Sequence, residues 1–95
     1  MRYRSDLERL ATLDAAAIER ACADCTTLDE LIGCAVDEHL EFDALADEAE
    51  ACDEYEHAAY LRQEAAAWRA TVRLLRTIAA DPDAYPVESR RTGTA

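Results

Sequence analysis

The feature that most restricts how this chain can fold is a segregation of charge along a stretch with almost no helix breakers. From Asp29 to Glu56 there are twelve acidic residues and no arginine, whereas from Arg62 to Arg76 there are four arginines and a single acid, Glu64. Gly33 is the only glycine or proline before Pro82. Both stretches carry apolar residues at helical spacing. The first reads Leu28, Leu31, Ile32, Ala35, His39, Phe42, Leu45, Ala46 and Ala49, and the second Ala58, Leu61, Ala65, Trp68, Val72, Leu75 and Ala79. Two amphipathic helices of opposite charge are expected, over about 28–51 and 55–79.

A chain that reverses near Asp53 lays these helices side by side. Residues equally far from Asp53 then share a height, which sets Arg62 near Asp43 and Asp47, Arg69 near Asp37 and Glu38, Arg73 near Glu30 and Asp37, and Arg76 near Asp29 and Glu30. Each such exposed pair contributes only about 0.2–1 kcal/mol, so the pairs select an orientation and do not drive folding. One unbroken helix of about 50 residues would extend roughly 75 Å and leave its apolar stripe in water. A coiled-coil dimer is the alternative topology.

Ser5-Asp6-Leu7-Glu8 has the form of a capping box and opens an expected helix over about 5–22, carrying Leu7, Leu10, Ile18, Ala21 and Cys22. Asp14 interrupts its stripe and can cap a fresh turn. Thr27-Leu28-Asp29-Glu30 repeats the capping-box pattern with two acids where the helix dipole favours them. Asp81-Pro82 ends the last helix, because proline cannot donate the next backbone bond and the residue before it avoids helical geometry. Residues 81–95 are expected to be a disordered tail. The expected class is all-α: one helical domain over 1–80, an antiparallel hairpin plus an N-terminal helix, able to complete a bundle by dimerisation.

Composition sharpens the reading. The chain has 21 Ala against 10 Leu, 3 Ile and 3 Val, so its core is thin, and a protein partner or a second copy is expected to cover part of it. The net charge is −11 and all ten basic residues are Arg, usage that fits a high-GC genome and a salt-rich cytoplasm. This charge opposes direct binding of nucleic acid. Without a long apolar run or a secretory start, the expectation is a soluble cytoplasmic protein away from membranes.

The residues from Phe42 to Trp68 include Ala49, Tyr55, Glu56, Ala58-Ala59, Leu61-Arg62 and Glu64. In this order they resemble the UVR motif, a short helical hairpin of bacterial excision-nuclease subunits and some protease-associated adaptors. Gln63 departs from it, standing where that family usually has an acid. The resemblance implies two closely packed helices that dock another protein.

The residues themselves suggest three further functions. Glu54 and His57 form Glu-x-x-His, the spacing by which ferritin-like proteins place a carboxylate and an imidazole on one helical face toward iron. Cys22 and Cys25, with Cys34 two turns into the next helix, have spacing compatible with zinc; otherwise they are free thiols packed as small apolar groups. Twelve acids over about 42 Å of helix give one charge per roughly 3.5 Å, half the density of a DNA duplex, which would make an acidic inhibitor a partial nucleic-acid mimic. No nucleophile sits beside a recognisable base, and no Gly-rich loop is present to cradle phosphate. The leading expectation is a non-enzymatic interaction module without a cofactor, contacting its partner through Phe42, Leu45, Tyr55, Leu61 and Trp68. The alternatives are a metal-binding protein and the acidic mimic.

Overall fold

The computed structural model of the protein describes residues 1–85, among which every regular element is helical. Helix α1 spans Arg4–Leu10 and α2 Ala15–Ala23; a 3₁₀ turn at Cys25–Thr27 leads into α3, Leu28–Ala51, and α4 follows over Tyr55–Ala80. Helices α3 and α4 pack as a long antiparallel hairpin, and the molecule measures 58 × 20 × 20 Å. The hairpin has two unlike ends. At its base, α1 and α2 pack on the first turns of α3 and the last turns of α4, while the end that carries the reversal projects as two helices alone.

The reversal is built from backbone geometry that no glycine announces. Asp53 takes a left-handed φ of 61°, its N–H donates to the Glu50 carbonyl, and the Glu54 N–H donates to the Ala49 carbonyl at 2.8 Å. This pair of bonds is the Schellman arrangement, which satisfies carbonyls left over at a helix end. Glycine normally holds the left-handed position. Asp tolerates it better than most residues because its short side chain bonds locally; here its carboxylate accepts the Tyr55 hydroxyl at 2.9 Å.

The N-terminal segment corrects the expected single helix over 5–22. Ala11 adopts a left-handed φ of 56° and ends α1, and Asp14 starts α2 by accepting the Ala17 N–H at 2.8 Å. Neither capping box forms. Helix α1 begins at Arg4, ahead of Ser5, and Thr27 has αR backbone angles, continuous with the 3₁₀ turn, from which its side chain makes no cap bond. An N-cap needs extended backbone to aim its oxygen at the helix. Asp24 has that conformation, and it accepts the Thr26 N–H instead.

The base core gathers Leu7, Ile18, Ala21, Leu28, Leu31, Val72, Leu75 and Ile78, with Trp68 packed at its edge. Thr71 is wholly buried among them. Its hydroxyl donates to the Ala67 carbonyl at 2.9 Å, so the 2.5 Å contact with Thr12 has the Thr12 hydroxyl as donor. Residues 81–85 correct the expected tail. Ala84 and Tyr85 are buried in the base core, and the Tyr85 hydroxyl donates to the Ala21 carbonyl at 2.7 Å. Asp81, extended ahead of Pro82, accepts the Tyr3 hydroxyl at 2.6 Å and a guanidinium N–H of Arg2, tying the two ends of the base together. The remainder of the expected tail, 86–95, lies outside the described residues.

Candidate functional site

The projecting end of the hairpin has a core made almost wholly of alanine. Ala46 and Ala49 of α3 meet Ala58 and Leu61 of α4, with Phe42 packed below them. Alanine allows the helices to approach closely, but it removes little apolar surface from water. Larger side chains that would have thickened this core point outward. Leu45 is 40% exposed, Leu40 57%, Tyr55 66% and Tyr60 54%.

The five residues expected to make the interaction therefore separate. Leu45 and Tyr55 are on the surface, Phe42 is half-buried, Leu61 is buried in the tip core with an edge in a surface depression, and Trp68 packs against the base. Leu40 and Tyr60 were not singled out from the sequence. Both stand off the helical stripes, and a large apolar residue outside the seam is the signal that marks them.

The two flanks of the tip differ in charge. On one, Arg62 donates from Nε to Glu50 at 2.8 Å and from Nη2 to Asp47 at 2.9 Å, and lies 4.0 Å from Asp43. The hydrogen bonds to Asp47 and then Glu50 raise the arginine's pKa above its ordinary value. Arg69 also reaches Asp43, at 3.7 Å, rather than the expected Asp37 and Glu38. Equal distance from the bend sets height but not direction. Asp37, two residues beyond buried Ala35, is about half a turn around the helix from the seam and is exposed. Among the described residues, Arg73 and Arg76 make none of the ion pairs expected with the first turns of α3. His39 lies on the same flank, its Nδ1 buried without a hydrogen bond, 3.6 Å from Asp43.

The other flank holds an open depression of about 430 Å³. Helix α3 lines it with Leu45, Glu48 and Ala51, the reversal with Cys52 and Glu54, and α4 with His57 and Leu61. The His57 ring lies nearly parallel to that of Tyr60, 13° apart with centroids separated by 6.4 Å.

The candidate metal ligands do not converge among the described residues. Cys22 is half-buried and Cys25 and Cys34 exposed, each a free thiol, while Glu54 and His57 sit at the opposite end of the hairpin. Among the described residues no three His, Cys, Asp or Glu side chains are grouped so as to hold a metal ion. No described helix is long and apolar enough to cross a membrane.

Compared with known protein families, residues 1–81 match the TY-Chap C-terminal domain (Chap-C). The chain belongs to that family. The match runs through all four helices, so the helices of base and tip lie within it, while Ala84 and Tyr85 of the base core follow it. The UVR-like residues occupy only the tip: Ala49, Ala58 and Leu61 form its core and Arg62 the ion-paired flank. Neither a curated protein nor a solved structure matches the chain.

Proposed function

We propose that this chain is a non-enzymatic, chaperone-like protein-interaction module that engages another protein through the projecting end of its α3–α4 hairpin. One observation carries the reading. Among the described residues, the four large apolar side chains left exposed, Leu40, Leu45, Tyr55 and Tyr60, all lie between positions 40 and 60, away from the packed base. Tyrosine supplies contact area at little entropic cost, and clustered exposed apolar side chains mark interaction sites. Membership of a chaperone-like family supports a protein as the partner, and the docking role implied by the UVR resemblance falls on the same segment.

Site-specific photocrosslinking tests this. A photoreactive amino acid at Leu45 or Tyr60 is expected to trap a partner protein in cells that express the chain naturally, while the same group at Ala16, exposed on the base, traps none. Equal yields at Ala16 and at the tip, or no product at either tip position, would remove the reading.

A further inference from the structure

We propose that the depression between Leu45 and Leu61 receives an apolar side chain from a cationic amphipathic segment of the partner protein. This rests on the tip being the interaction surface and names what that surface recognises. The lining of the depression is largely apolar, with Leu45, Ala51 and Leu61 beside Cys52 and His57, and two carboxylates, Glu48 and Glu54, belong to it. Glu41, one turn before Leu45, and Glu64, one turn after Leu61, continue the acidic border along the same faces of their helices. Among the described residues no arginine pairs with these carboxylates; Arg62 and Arg69 are held on the opposite flank by Asp43, Asp47 and Glu50.

An apolar slot between two rows of carboxylates is complementary to a helix with a large apolar residue flanked by Lys or Arg at positions three and four away. The same charges select against a second copy of this chain. Docking by the same flank would bring Glu48 and Glu54 against their own equivalents, on molecules that each carry a net charge of −11.

The probe is a synthetic amphipathic helix of Leu and Lys, followed by fluorescence anisotropy on the full chain. It is compared with a peptide of the same composition in scrambled order and with a Leu and Glu counterpart. The amphipathic cationic peptide is expected to bind saturably. Leu45→Ser is expected to weaken it about tenfold, and Glu48→Arg with Glu54→Arg to weaken it at least as much while admitting the Leu and Glu peptide. All three positions are exposed, so unchanged circular dichroism and melting identify variants that remain folded. A control with the same change of charge at the base, Glu8→Arg with Glu30→Arg, is expected to alter affinity by no more than about twofold.

Equal binding of the scrambled peptide, or equal weakening by the base control, would reduce the effect to net charge and overturn the proposal. A dimer in sedimentation that dissociates on Leu45→Ser would overturn it in favour of a second copy. Absence of binding by any peptide, with photocrosslinks at Leu45 retained, would remove this inference and leave the tip as the interface.

Discussion

The two ends of the hairpin are built from the same two helices yet hold together differently. At the base, Leu7, Ile18, Leu31, Leu75, Ile78 and Tyr85 converge from both short helices, both long helices and the segment after α4. At the tip, three alanines and Leu61 converge from only two. Burial of large side chains from several directions stabilises the base, whereas each tip helix is covered on one side alone. The tip owes its position to the continuity of α3 and α4 with the base and to the Schellman bonds at the bend. An element held in this way remains ordered while its outward faces stay open to a partner.

The largest test of the contrast is truncation in the two cores. Leu75→Ala leaves a cavity in the closed base and is expected to destabilise by about 2–5 kcal/mol in urea denaturation; Leu61→Ala, beside an open depression that can partly collapse, falls below it. Equal losses would mean that the tip is as closely determined as the base. Enlargement probes the alanine seam directly. Ala46 is wholly buried, so Ala46→Leu forces the helices apart at a cost of about 1–3 kcal/mol, and amide exchange should quicken in the tip before the base.

Tyr85 tests whether the base closes through the segment after α4. Loss of its buried hydrogen bond in Tyr85→Phe is expected to destabilise by about 0.5–1.5 kcal/mol near neutral pH. Burial pushes the Tyr85 hydroxyl up to about 12 from its ordinary value of 10.0. Its contribution is complete below pH 10 and is lost as pH rises through about 12, because the unfolded chain releases the proton first. Alkaline melting curves should converge for the two proteins over that interval. If their separation is constant, Tyr85 is not a buried donor.

Smaller effects separate the two left-handed positions. Ala11→Gly removes a steric conflict at the base and is expected to raise stability by about 1 kcal/mol, while Asp53→Gly at the bend gains less, since Asp already tolerates the conformation and accepts from Tyr55. A larger gain at Asp53 than at Ala11 would reverse the assignment of strain. The smallest effect is expected at the ion pairs. Arg62→Gln, measured in low and high salt, should change stability less than any of the substitutions above, with the difference shrinking as salt rises.

What the sequence determined by itself is what local periodicity and charge can encode: two long amphipathic helices, their opposite signs, and a reversal between Cys52 and Glu54. These depend on the spacing of neighbours along one helix and on a sign difference legible at any distance. Asp14 as a possible restart belongs with them, since a cap acts within three residues. The tertiary structure alone decided which end is thick. It placed Tyr85 in the base rather than in a tail, moved Arg69 from Asp37 to Asp43, and turned Leu45 outward from the stripe to which its spacing assigns it. A helical stripe fixes a face only to within a side chain or so, and whether a residue at its margin is buried depends on what packs beside it. At the base α1 and α2 supply that cover, and at the tip nothing in the described chain does.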